Sequence, residues 1–211
     1  MTVRLRRQGT RAAAAAAVAA AAVLAACSGD GGPAALSQAG LHDKVRSAAK
    51  ESTHCPLDYD LDRAASAAHV PGPASPVSAH VDLPEDADKD AVLSTAHATD
   101  VECDYRLGTQ PVSVETLAAE KGTAAALLAP LIQRDAGLSS TELAAYLGEV
   151  TKASTGTPVV TSTGNVALVR LRGAGGDSVA LMLSAGTDSH AELTAKQVGA
   201  LARNLGGQAH W

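Results

Sequence analysis

Val101-Glu102-Cys103-Asp104-Tyr105-Arg106-Leu107 alternates apolar and polar side chains with a period of two. Successive strand residues point to opposite faces, so the stretch reads as a strand with one face in a core and one in water. Val101, Cys103, Tyr105 and Leu107 share the inner face. Val77-Ser78-Ala79-His80-Val81-Asp82-Leu83 repeats the pattern, with His80 on the wet face. A loop over 108–111 leads into a third alternating run over 112–116, as a hairpin does. One-sided alternation of this kind belongs to antiparallel sheets.

Outward from these strands the period changes. Leu41, Val45 and Ala48-Ala49 mark a short helix within 36–50, and Asp60 caps a second over 61–69. Pro71, Pro73 and Pro76 break what precedes them. Thr123 opens a helix carrying Leu127, Leu128, Leu131 and Ile132, with a kink or restart at Pro130 and a stop at Gly137. Ser139 with Glu142 forms a capping box before the stripe Leu143, Tyr146, Leu147 and Val150. Strands return over 158–161, 165–172 and 178–184, the last two joined by the glycine-rich turn 173–177. Thr194 with Gln197 forms a second capping box; Val198, Leu201, Ala202 and Leu205 follow, with Gly206 as the C-cap. The order predicts an α+β fold: an antiparallel sheet of about five to six strands, helices packed on one face, and one disulfide.

The chain has 211 residues and a net charge of −5. Its apolar fraction is 46%, rich in Ala, with no Phe, one Trp and three Tyr. So few aromatics and an acidic balance weigh against nucleic acid, which calls for stacking platforms and basic patches. The first 26 residues hold Arg4, Arg6, Arg7, Arg11 and no acid, and every residue from Ala12 to Ala26 is Ala, Val or Leu. A basic head before a short apolar run is a secretory signal, too short for a comfortable span. The run ends in Leu24-Ala25-Ala26-Cys27 and resembles the bacterial lipobox. That resemblance implies cleavage before Cys27 and a diacylglycerol on its thiol. The expected organisation is a signal peptide over 1–26, a lipidated Cys27 with a Gly- and Pro-containing tether over 27–35, and a single extracytoplasmic domain over 36–211. Without the signal, 13 basic residues face 22 acidic ones, a net charge of −9. A chain this acidic stands off an anionic bilayer rather than lying on it.

With Cys27 lipidated, Cys55 and Cys103 remain, an even number in an oxidising compartment. One disulfide between them is the expectation. The alternative, a redox or metal site, lacks any Cys-x-x-Cys. Together, the lipobox, a first cysteine before a small Ala-rich helix, Cys103-Asp104-Tyr105 in a strand, and late hairpin strands ending in an Ala/Leu helix resemble the two-cysteine lipoproteins of actinobacteria. Some of these are similar to the extracellular sensor domains of mycobacterial receptor kinases. The resemblance spans about 41–207. It implies the fold and the disulfide, and no catalytic residue.

The chain contains no Gly-x-Ser-x-Gly, His-Glu-x-x-His, Walker loop or Gly-x-Gly-x-x-Gly. Asp58, Asp60, Asp62 and Asp86, Asp88, Asp90 space like the start of a calcium loop, but Arg63 and Ala91 stand where glycine is needed. These runs read as solvated charge; the alternative, weak calcium binding, falls on the 82–90 loop. His42, His54, His69, His80, His97, His190 and His210 are dispersed, so no metal site is expected. Asp188-Ser189-His190 reads as a turn, and Trp211 as an exposed tail. The functional expectation is a lipid-anchored, non-catalytic module without cofactor. It would bind an unknown small ligand or envelope protein through the outer sheet face or a groove between sheet and helices. The alternative is a structural or accessory subunit of an envelope complex.

Overall fold

Ser37, Asp60, Thr123, Ser139 and Thr194 each turn a side-chain oxygen onto a free backbone N–H and so open a helix. The computed structural model of the chain describes residues 35–48, 50–186 and 192–211. In order these form α1 (Gln38–Val45), β1 (Glu51–Ser52), α2 (Leu61–Ala67), β2 (Ala74–Asp82), α3 (Val92–Ala96), β3 (Ala98–Leu107), β4 (Gln110–Ala119), α4 (Ala124–Leu127), α5 (Ala129–Ala136), α6 (Ser140–Lys152), β5 (Pro158–Val160), β6 (Val166–Leu171), β7 (Ser178–Ser184) and α7 (Ala195–Gly206). Pro33–Trp211 packs as one compact unit.

The strands form one sheet in the order β1-β2-β3-β4-β7-β6-β5, and every pairing is antiparallel. The fold is therefore α+β around an antiparallel sheet, with seven strands where five to six were expected. The additional edge strand is β1, two residues long and without a period to read. Cys55 and Cys103 are joined by a disulfide, their Cα atoms 5.4 Å apart. Cys103 is fully buried on the inner face with Val101, Tyr105 and Leu107.

The arrangement of helices differs from the one-sided expectation. The inner face carries α1, α2 and α7, packed on Ala79, Val81, Val101, Cys103, Val114, Leu181 and Leu183. The opposite face carries a second core, in which Leu128 between α4 and α5, Ile132 of α5, and Tyr146 and Val150 of α6 pack on Leu117, Val166, Leu168, Ala180 and Met182. In β6 and β7 consecutive residues thus enter different cores, and both strands are buried on both sides. The second layer covers β5, β6, β7 and the adjoining ends of β3 and β4. It leaves the outer face of β1, β2 and the rest of β3 and β4 open. A half-covered sheet of this kind sets the position of the site described below.

Local expectations are largely met in place. Pro130 divides α4 from α5, and Gly137 ends α5 in the left-handed region, φ 63°. Both capping boxes form. Gly206 lies within α7 instead of capping it; the cap is Gly207. Pro76 does not stop β2 but sits inside it, next to a shift in register between Pro76 and Ser78. The position tolerates proline because β1 pairs only with Ala79 and His80, so Pro76 lies on an open edge. Trp211 is no free tail: its Nε1–H donates to the Ser37 carbonyl at 2.9 Å and its ring packs on the core and against Gly40. The signal peptide, Cys27, the tether before Ala35, Ala49 and Asp188-Ser189-His190 lie outside the described residues. Among the described residues no helix is long and apolar enough to cross a membrane.

Candidate functional site

Register places three polar rows side by side on the open face. Ser78, Asp104, Ser113 and Ser184 lie directly opposite one another across β2, β3, β4 and β7. The next row is His80, Glu102, Glu115 and Met182, and the third begins Asp82 and Asp100 before passing under the second helical layer at Leu117 and Ala180. The serines in the first row are short, so that row is lower than its neighbours and forms a trough across the strands. At one end it opens into a depression of about 560 Å³ between β1 and β2, lined by Glu51, Ser52, Thr53, His80 and Asp104. At the other it meets a depression of about 250 Å³ walled by Asp135 at the end of α5 and by Gly186. Val77 and Asp104 line both. With neighbouring strands about 4.8 Å apart, the trough from β1 to β7 is about 19 Å long.

Hydrogen bonds fix its floor and its far wall. Ser78 Oγ donates to Asp104 Oδ2 at 2.8 Å, and Ser113 Oγ to Glu102 Oε1 at 3.3 Å. Buried Asn165 donates through Nδ2 to the Asp135 carbonyl at 2.8 Å and the Gly186 carbonyl at 2.7 Å. Buried Gln110 donates to the Ala185 carbonyl and accepts from the Glu192 N–H.

Carboxyl groups crowd the rows across β2, β3 and β4, while Arg106 lines the far depression beside Asp104. Asp82 faces Asp100, and Glu102 faces Glu115, as direct cross-strand partners. Like charges directly opposite one another are destabilising. Among the described residues none of Asp82, Asp100, Glu102, Asp104 and Glu115 holds an ion pair with lysine or arginine. Arg134, on α5 at the rim, pairs with Asp135 at 2.7 Å instead. Glu115, only 5% exposed, and Asp100 hydrogen-bond each other where the second helical layer ends. Burial, then the neighbouring carboxylate, pushes Glu115 far above the usual carboxylate range. Burial also raises Asp100, which is pushed up to about 6. Two carboxylates in contact cannot both ionise cheaply, so the pair holds one shared proton at neutral pH. Asp100 Oδ1 is buried and accepts no hydrogen bond.

Several of the other residues singled out in the sequence have local partners. Asp60 caps α2, Asp62 accepts from the Ala74 N–H, and Asp58 pairs with Lys44. In the 82–90 loop Asp86 pairs with Lys50 and Glu85 with His42, the latter at 2.8 Å. His80 Nε2 lies 3.2 Å from Asp82 Oδ1, and His97 Nδ1 lies 3.3 Å from Glu120 Oε2. His69 and His97 both take positive φ, at 55° and 48°, where they end short helical turns. Among the described residues no three of His, Cys, Asp and Glu gather as a metal site. Of the residues singled out in the sequence as candidates, His80 lines the trough; Asp104, which also lines it, stands in the sequence only as an outward strand position.

No protein-family model, curated protein or solved structure matches this chain. Function is therefore argued from the trough itself.

Proposed function

We propose that this chain is a membrane-anchored extracytoplasmic lipoprotein of the two-cysteine kind, held by a lipid on Cys27, and that its domain is a non-catalytic binding module. The observation that carries the binding role is the trough. It is an uncovered, polar half of a sheet whose other half is sealed by a second helical layer. Antiparallel sheets tolerate one solvated face, but this one sets carboxyl groups in register and buries Asp100 and Glu115 among them, at a cost to stability. A cost borne at one place on a fold points to function there. The carboxyl pair Asp100–Glu115 does not favour catalysis. A general acid must touch its substrate, and Glu115 is almost wholly buried while Asp100 Oδ1 is shut off from solvent. A structural or accessory subunit would use the same face against a larger partner.

Two experiments test this reading. Cys27→Ser should move the chain from the membrane fraction to the soluble fraction and abolish incorporation of labelled palmitate; continued membrane retention would contradict the anchor. For binding, the soluble domain from Ser28 onward is titrated with fractionated envelope extract and metabolites. A ligand of the folded state at a hundred times its Kd adds about 2.7 kcal/mol of stability. Amide shifts on binding should centre on Ser78, Asp104 and Ser113. Shifts confined to α1, α2 and α7 would place binding elsewhere.

A further inference from the structure

The two sulfurs of the Cys55–Cys103 bond differ in access. Cys103 lies in the middle of β3, opposite Ala79 of β2 and Val114 of β4, and is fully buried. Cys55 is half-buried, on the segment between β1 and α2, and lines a depression of about 260 Å³. The depression opens beside the edge of β2 at Pro76, which is bare because β1 pairs only with Ala79 and His80. Leu57, Tyr59, Tyr105 and His54 complete its lining around Cys55. A thiolate attacks a disulfide at one sulfur and expels the other, and the rate depends on which sulfur can be reached. Attack at Cys55 expels Cys103 as a thiolate into the core, where an unpaired charge is costly. Attack at Cys103 would expel a better solvated thiolate, but no thiol reaches Cys103 without unpacking the inner core. Access therefore decides the site of attack, and the leaving group makes that attack slow. The segment also stays seated when the bond opens, because Leu57 is buried and Tyr59 Oη lies 2.8 Å from Thr116 Oγ1. Cys103 is then held near Cys55 and recaptures it as an intramolecular reaction.

We propose that Cys55 is the exchange sulfur of this domain. A partner carrying a thiol or a reactive disulfide engages the bond through a mixed disulfide on Cys55, not on Cys103, and the fold favours closing the bond over opening it. In the closing direction the Cys55 thiolate attacks one sulfur of the partner's disulfide and expels the other as a thiolate. The Cys103 thiolate then attacks Cys55 Sγ, and the second partner sulfur leaves as a thiolate into the depression. The domain's two thiols give up two electrons and two protons, and the partner's disulfide takes them up as two thiols. The partner is a low-molecular disulfide or an oxidoreductase with a Cys-x-x-Cys pair, which share this chemistry. The inference is independent of the trough.

The test treats the oxidised domain, from Ser28 onward, with excess reduced glutathione. The reaction is quenched with acid, free thiols are alkylated, and the adducts are located by peptide mass mapping. Glutathione on Cys55 with Cys103 alkylated should exceed the reverse pattern at least about tenfold. His54→Trp, at an exposed position in the lining, should slow formation of the adduct about fivefold at an unchanged melting temperature. A parallel reaction uses an oxidoreductase reduced to one active-site cysteine, Cys-x-x-Ala. Both reagents should land on Cys55, and the faster at equal concentration identifies the source as protein or small molecule. Equal adducts on the two cysteines, or an excess on Cys103, would overturn the proposal. Exchange that proceeds only at the rate of global unfolding would overturn it too, because both sulfurs are then reached alike. An unchanged rate in His54→Trp would rule out the depression as the route.

Discussion

Replacing Cys55 by serine is expected to destabilise the domain by about 4 kcal/mol, the largest effect of any single substitution considered. The bond closes a loop with a sequence separation of 48. On the chain-entropy model such a cross-link removes about 4 kcal/mol of freedom from the unfolded chain. A further loss arises on the folded side. Cys103 is fully buried on the inner face beside Val101 and Tyr105, and Cys55 packs on the same core. The bond ties the segment between β1 and α2 to the middle of β3, and no other covalent link holds that segment. The variant should show a denaturant midpoint well below that of the wild type, with Cys103 alkylated only on unfolding. Alkylation of both cysteines in the unreduced wild type would contradict the bond.

Glu115→Gln is expected to act in the opposite direction and stabilise the domain by about 2 kcal/mol at neutral pH. In the unfolded chain Glu115 ionises near about 4.3. In the fold, burial and Asp100 hold it protonated well above that. The native state therefore binds more protons than the unfolded state through the neutral range, and stability falls as pH rises. Each pH unit in that window costs at most about 1.4 kcal/mol. Glutamine donates to Asp100 as the protonated acid does, without needing a proton. The gain over wild type should be near zero at pH 4 and grow towards pH 8. Asp100, pushed up to about 6, adds to the same slope between about pH 4 and 6. Parallel stability curves for wild type and variant would contradict the shared proton. A substitution that stabilises while altering the trough's edge is the kind of trade-off expected where function opposes stability.

The period-two runs around Cys103 and Val81 were legible because one of their faces is wet, and the capping boxes because their chemistry is local. The pairing of Cys55 with Cys103 followed from arithmetic once Cys27 was set aside. The second helical layer was not anticipated, although a signal for it exists. Val166-Ala167-Leu168-Val169 and Val179-Ala180-Leu181-Met182-Leu183 are unbroken apolar runs, and unbroken runs mark strands covered on both faces. The trough could not be read in advance. Glu102 and Glu115 are 13 positions apart, and only the register of β3 on β4 sets them opposite each other. Ser78 and Ser184 reach one row through the β4–β7 pairing, which follows three intervening helices. Trp211 was misjudged because a chain end usually frays; the Ser37 carbonyl that holds it comes from the opposite end of the domain.

The most direct test of the binding face is site-specific photo-crosslinking in the native envelope. One probe replaces Ser113 in the trough and the other replaces Arg203 on α7, across the sheet. A recurrent adduct from position 113, absent from position 203, is expected. An adduct from position 203 with none from position 113 would place the working surface on the helical side and contradict the assignment.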